Sequence, residues 1–328
     1  MCLMNATPVL ILAHRRPNHT LRVLKAVKKS GPRPIYVSCD GPRNESEASK
    51  VEAVHRLFKD LFWAERVHTR FLPTNLGSRF AVTTALDWFF SKESEGIILE
   101  DDCIASPDFF RLCEFFLAEH RSDRSVWGIT GSNTARITSQ HLYTFVQQPL
   151  TWGWATWADR WQKRDADLTD YQLRRLEKEV WVSAAHRVVY KRHLDRILYQ
   201  GKPDAWDYMW AWTVMSHRGL WGITHSNLIT NIGTGEDATN SHPQEWIGTS
   251  QEALDWTLHP SPIAPDVAAD REVLRQIHGL KEPLWFNHLL NIFRKFAQWF
   301  QQLAEDRTVN LAKSGTNPLT RDNCPEIR

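Results

Sequence analysis

The chain lacks the short motifs that mark several common enzyme classes. It contains no GxxxxGK(S/T) phosphate loop, no GxGxxG after its first apolar run, no HExxH and no GxSxG. The usual kinase, dehydrogenase and hydrolase templates therefore have no support. Cysteine is sparse: Cys2, Cys39, Cys103, Cys113 and Cys324 stand far apart, with no CxxC pair. That spacing excludes a zinc ribbon or a disulfide framework, and the odd number fits a reducing compartment. There is no excess of charge. Lys and Arg total 40, Asp and Glu 38, for a net charge of +2, which excludes a strongly electrostatic nucleic-acid binder. No long hydrophobic run is present either. Residues 8–13, PVLILA, stop at His14-Arg15-Arg16, far short of the ~20 residues that a membrane span needs. No basic stretch precedes them and no small-residue cleavage site follows, so they read as a buried strand and not as a signal peptide. The expected location is the cytoplasm, with peripheral contact at the inner face of the membrane left open. Without a signal, the Asn-x-Ser/Thr sequons at Asn5, Asn18 and Asn44 read as chance matches.

What the chain does have is alternation. Its 328 residues suit one large domain or two small ones. Apolar runs at 8–13, 34–39, 66–72 and 96–99 read as strands, and the segments between them carry helical spacing. This pattern predicts an α/β fold with a mostly parallel sheet flanked by helices. Ligands in such sheets bind beyond the carboxyl ends of the strands. Three polar clusters stand there: His14-Arg15-Arg16, Asp40-Gly41 and Glu100-Asp101-Asp102. The second half reads as strands at 125–131, 142–147 and 220–230, a charged helix from about Tyr171 to Tyr199, and a Trp-rich helix over 204–218. A catalytic domain over 1–245 and a C-terminal extension over 246–328 are expected. Within the extension, Trp285, Leu289, Ile292, Phe293, Phe296, Trp299, Phe300 and Leu303 mark an amphipathic helix over 284–303, followed by a disordered end. That helix would dock on its own domain, on a partner chain, or on a membrane surface.

Tryptophan is the unusual abundance. There are 16, nine of them between Trp152 and Trp221. They form either an aromatic core or a sugar-binding surface, since indole faces pack on pyranose C–H groups.

Glu100-Asp101-Asp102 is the strongest local signal. Three consecutive carboxylates repel one another directly after a core strand. They either begin a solvated loop or hold Mg²⁺ or Mn²⁺, which take one or two protein carboxylates and fill the shell with phosphate oxygens and water. Asp40 is a turn former or an acceptor for a base or ribose. Arg15 and Arg16 are surface charge or contacts to the same nucleotide. Arg79 sits at a helix start, where phosphate or a structural ion pair would suit it. Asp204 and Asp207 lie among Trp206, Trp210 and Trp212, as structural carboxylates or as a general base. The loop Gly233-Thr234-Gly235-Glu236-Asp237 could close over a ligand, with His225 and His242 beside it.

These pieces together resemble the GT-A-fold nucleotide-sugar glycosyltransferases, closest to the N-acetylglucosaminyltransferase I type and to bacterial sugar-nucleotide transferases. The resemblance spans roughly residues 7–240. Its carriers are Pro8 to Ala13 with Arg16, Val37-Ser38-Cys39-Asp40, Ile98-Leu99-Glu100-Asp101-Asp102 with Ser106-Pro107-Asp108-Phe109-Phe110, Trp152-Gly153-Trp154, and Ala205-Trp206-Asp207. It implies a GT-A catalytic domain with a Rossmann-like sheet and an inverting, metal-dependent transfer from a nucleoside diphosphate sugar, UDP being the expected nucleotide. Arg16, Asp40, Arg79, Glu100 and Asp101 would bind the nucleotide sugar, and Asp102 would hold Mn²⁺ or Mg²⁺. Asp207 would be the base, with Asp204 as the alternative, because Tyr208 stands where the family has a second acid. Trp152, Trp154, Trp206, Glu236 and Asp237 would contact sugar or acceptor. The acceptor would be a glycan, a lipid-linked saccharide or a protein. The family's Golgi members have a membrane anchor; this chain shows none, which points to a bacterial cytoplasmic enzyme. Two alternatives remain: a nucleotidyltransferase that makes the sugar nucleotide, although Ala13 to Pro17 is no Gly-rich loop, and a carbohydrate-binding module without activity.

Overall fold

The computed structural model describes residues 6–59, 61–233 and 251–278. The strand and helix alternation is present from the start. β1 (Val9–Ala13), α1 (Pro17–Lys29), β2 (Pro34–Cys39), α2 (Glu45–Arg56), β3 (Arg66–Phe71), α3 (Gly77–Phe90) and β4 (Glu95–Glu100) follow one another. A short β5 (Cys103–Ala105) leads into α4 (Pro107–His120) and β6 (Val126–Thr130). Then come β7 (Thr144–Val146), β8 (Trp154–Trp157), α5 (Ala158–Trp161), α6 (Thr169–Arg174), α7 (Ala184–Gln200) and α8 (Asp207–Ser216). β9 (Leu220–Ile223), β10 (Ile229–Asn231) and α9 (Val267–His278) complete the described elements.

Eight strands form one sheet in the order β3-β2-β1-β4-β8-β6-β9-β7. Strands β3, β2, β1 and β4 run parallel, as do β6 and β9, while β8 runs antiparallel to both its neighbours. The fold is therefore the expected α/β layer with a mostly parallel sheet. β1 and β2 are buried along their whole lengths, as strands covered by helices on both faces must be. Alternation divides β1 between the two layers: Val9, Ile11 and Ala13 join one apolar cluster, Leu10 and Leu12 the other. A third cluster packs α6, α7 and α8 around Trp212, Tyr171 and Trp181.

Three departures from the sequence reading matter for the site. The charged stretch from Tyr171 to Tyr199 is two helices, α6 and α7, and not one. The strand expected over 220–230 is two: β9 in the large sheet, and β10 paired antiparallel with β5. The proline-bearing stretch after 257 contains α9, with Asp266 Oδ1 accepting from the amides of Ala268 and Ala269 at its start. Residues 251–278 belong to the same compact unit as the sheet, so the boundary expected near 245 falls inside it. The amphipathic helix expected over 284–303 and the end of the chain lie outside the described residues. Among the described residues, no helix is long and apolar enough to cross a membrane.

Candidate active site

Chain order fixes where the site lies. β2 and β3 build outward on one side of β1, and the chain then returns to place β4 on its other side. The crevice at such a switch point is where open α/β sheets bind ligands. Registers Leu12↔Glu100 and Ala13↔Cys39 bring all three polar clusters to that one edge. They line a cavity of about 150 Å³ with Arg43, Asn75, Ser78, Trp152 and Gly233.

Arg16 organises the acidic end. Its Nε donates to Asp101 Oδ2 at 3.3 Å, one terminal nitrogen bonds Asp101 Oδ1, and the same nitrogen stands 2.9 Å from Asp102 Oδ2. Burial raises the Glu100 carboxyl to about 8 and the Asp101 carboxyl to about 6, and the neighbouring carboxylates add to both shifts. Arg16 opposes them. Burial alone would lower the guanidinium pKa, but the charges of Asp101 and Asp102 reverse that and hold it protonated. The segment after β10 seals this end: Ile232 N–H donates to the Asp102 carbonyl at 2.9 Å, and His19 bonds the Ile232 carbonyl at 3.0 Å. Gly233 faces Asp102 Oδ2 so closely that any Cβ would collide with it. Only glycine fits at that approach. No three His, Cys, Asp or Glu side chains converge on one point among the described residues.

Asp40 lines the same cavity, but its carboxylate is engaged. It accepts from the amides of Gly41 (2.9 Å), Leu76 (2.9 Å) and Gly77 (3.2 Å) and from Asn75 Nδ2 (2.8 Å). Those four bonds fill a carboxylate's lone-pair positions. The structure makes Asp40 the holder of the 75–77 turn and leaves it little capacity for a nucleoside. His14 is close by. With its proton on Nε2 it donates to the Gly41 carbonyl at 3.0 Å, and burial lowers its pKa below 6.5. Arg15 pairs with Glu47 at 3.3 Å, and Glu47 in turn accepts from the Arg43 amide at 3.0 Å.

A second cavity of about 410 Å³ shares Trp152 with the first. Asp207, the first residue of α8, lines it with Gln148, Tyr190, His193, Tyr208 and His278. Asp207 is open to water in this concave space, yet the surrounding protein still displaces enough solvent to raise its pKa. Its charge also contributes to the upward shift of Glu100, so the two cavities communicate electrostatically. Asp204 does something else. Its Oδ1 accepts from the Arg79 amide at 3.2 Å and so serves the start of α3.

Three expected contacts are corrected. Arg79 does not line the charged cavity. Its guanidinium lies over the Phe80 ring at 5.0 Å and faces a separate hollow of about 160 Å³ with Asp87 and Arg164. Trp154 and Trp206 are core residues, 0% and 5% exposed, stacked on each other at 5.8 Å and packed with Trp210 and Trp221. Neither presents a face to a sugar. Trp206 reaches only the hollow that Arg79 faces; of the three, Trp152 alone lines the two cavities that hold the acidic cluster and Asp207, because Gly153, at φ +63, turns the chain where a Cβ would strike Ile229. His225 bonds the His141 carbonyl at 3.1 Å and takes no part in the acidic cluster. Glu236, Asp237 and His242 lie outside the described residues.

Sequence reasoning passed over Arg43, Ser78, Tyr190, His193 and His278. The first two follow β2 and open α3, where the topology offered a signal. The other three come from helices whose approach to the cavity no local pattern announces.

No protein-family model and no curated protein matches the chain. Among solved structures it is similar to HddC from Yersinia pseudotuberculosis at 12% identity and a TM-score of 0.32, over 48% of this chain and 80% of that one. A likeness at that level supports no conclusion about this chain.

Proposed function

We propose that the chain is a GT-A glycosyltransferase that moves a sugar from a nucleoside diphosphate, UDP by resemblance, to a hydroxyl of a glycan or other acceptor. One observation carries the reading: two cavities of unlike chemistry meet at Trp152, the smaller of them at the carboxyl ends of the switch-point strands. Arg15, Arg16 and Arg43 face the smaller one, a setting for phosphates. Asp207 faces the larger one, a setting for an acceptor hydroxyl.

Asp102 would hold Mn²⁺ or Mg²⁺, which when bound with substrate offsets charge on the departing diphosphate. Arg16 holds Asp101 and Asp102 together before any ligand arrives. Asp207 takes the proton of the acceptor hydroxyl while that oxygen bonds the anomeric carbon. The bond from that carbon to the diphosphate oxygen breaks, and its electron pair leaves with the diphosphate. One displacement with one base inverts the configuration. The raised Asp207 pKa suits a general base.

A thermal-shift screen of UDP, GDP and CDP, each with and without Mn²⁺, tests the reading on wild type and Asp102→Ala. Stabilisation by one nucleotide that needs both Mn²⁺ and Asp102 is expected. No shift with any nucleotide would reject it and favour a carbohydrate-binding module.

A further inference from the structure

Resting on that reading, we infer that the larger cavity selects an uncharged pyranose as acceptor and excludes uronic acids and sugar phosphates. The inference comes from how charge is distributed. Among the described residues lining this cavity there is no Lys or Arg, and Asp207 is the single acid. The cations Arg15, Arg16 and Arg43 all line the smaller cavity. The histidines supply no positive charge near neutrality: burial lowers His193 below 6.5 and brings His278 to about 4. Arg192 and Arg196 on α7 act on His193 from outside the lining. An anionic sugar would therefore give up its hydration without a cation in contact, and would sit beside a carboxylate.

A neutral sugar finds partners instead. Tyr208 and His193 stack with ring centroids 4.3 Å apart and planes 11° from parallel. Tyr190 packs edge-on against both Tyr208, at 5.7 Å, and His278, at 5.3 Å. Tyr190 is buried behind them, and the half-buried Tyr208, His193, His278 and Trp152 give the cavity an aromatic lining whose remaining faces and edges suit pyranose C–H groups. The hydroxyls of Thr134 and Thr151 line it and make no hydrogen bond among the described residues. They are available to sugar hydroxyls, and at about 410 Å³ the space lies within the range of small-molecule sites.

Saturation-transfer NMR on the full chain tests this, with methyl glycosides of glucose, galactose, mannose and N-acetylglucosamine against those of glucuronic and galacturonic acid. At least one neutral glycoside should bind at least about tenfold more tightly than either uronide. Tyr208→Ala should weaken that neutral glycoside. Thr134→Lys, at a half-buried rim position, should admit a uronide by supplying the missing cation. A uronide that binds wild type as well as the neutral sugars, or the failure of every neutral glycoside to bind, overturns the inference. UDP binding is measured in the same samples. If UDP fails while the neutral preference holds, the transferase reading falls and the selectivity of the cavity stands. If UDP binds and the preference is absent, the selectivity alone is lost.

Discussion

Replacing Asp207 and Asp204 one at a time separates catalysis from scaffold. The two carboxylates are three positions apart, yet one lines the larger cavity and the other serves the first turn of α3. Asp207→Asn keeps the size and removes the proton acceptor. Loss of a general base slows a reaction by about 10²–10⁴-fold, or ~3–5 kcal/mol in the barrier, with little change in folding at so open a position. Asp204→Ala removes one acceptor from a helix start, which costs ~1 kcal/mol of stability and moves Tm by a few degrees. The assay is release of nucleoside diphosphate from the sugar nucleotide picked out by the binding screen, run beside thermal denaturation of both variants. The pH profile adds a second readout. The base works deprotonated, so kcat/KM falls on the acid side, with its midpoint above the ordinary aspartate value of 3.8 because the concave surroundings displace water from Asp207. The reasoning is refuted if Asp207→Asn turns over at the wild-type rate, or if Asp204→Ala abolishes transfer with its Tm intact.

Three further substitutions probe the frame around the cavities. Arg16→Ala leaves Asp101 and Asp102 without their cation and should lower stability by ~3–5 kcal/mol in urea melts, as removing one partner of a buried ion pair does; Arg16→Lys should recover part of the loss. Asp40→Ala strands the Gly41, Leu76 and Gly77 amides, while the Asn75 side chain keeps its bond to the Gly41 carbonyl; a loss of ~2–4 kcal/mol is expected, with faster hydrogen exchange at Leu76 and Gly77, and unchanged exchange would contradict it. Asp270 accepts from the amides of Gln147 and Gln148, and burial raises it from 3.8 to about 7. Between those values the folded chain holds more protons than the unfolded one, so Asp270 lowers stability as pH rises. Asp270→Asn should remove that slope in Tm against pH and leave the variant more stable at pH 8, by at most ~4 kcal/mol.

The first half of the fold was readable because its information is local. A run such as PVLILA between polar turns can only be a covered strand, and three such runs ending in charged clusters point to one sheet edge. The acid motif at 100–102 was legible for the same reason: no folding advantage explains three carboxylates after a core strand. The second half was not readable to that degree. β8 enters the sheet antiparallel between β4 and β6, and its Trp154 is buried by a partner strand distant in sequence. A Trp that packs a core and a Trp that faces a sugar look alike in sequence, and only Gly153 separates the roles of Trp152 and Trp154. Asp40 illustrates the opposite limit. Its position after β2 was clear, but the loop that would take up its oxygens comes from residues 75–77 and closes only in three dimensions.

A displacement of the proposed kind sets two demands that conflict if met in one place. The departing diphosphate needs cations, whereas an acceptor hydroxyl needs a base that nearby cations would make less basic. On the proposed reading the first would fall to the arginines that follow β1 and β2, at the parallel end of the sheet. The second would fall to a carboxylate on α8, after more than a hundred residues of further chain. Trp152 is the wall common to both cavities, placed by the turn at Gly153 and packed against the apolar cluster that holds Ile11, Leu99 and Ile229, whereas Trp154, Trp206, Trp210 and Trp221 fill the other layer. The tryptophan excess is therefore mostly structural, but not idle. A close-packed layer of large side chains would hold α8, which carries Asp207, at a fixed place against the sheet, as a reaction between two bound substrates requires.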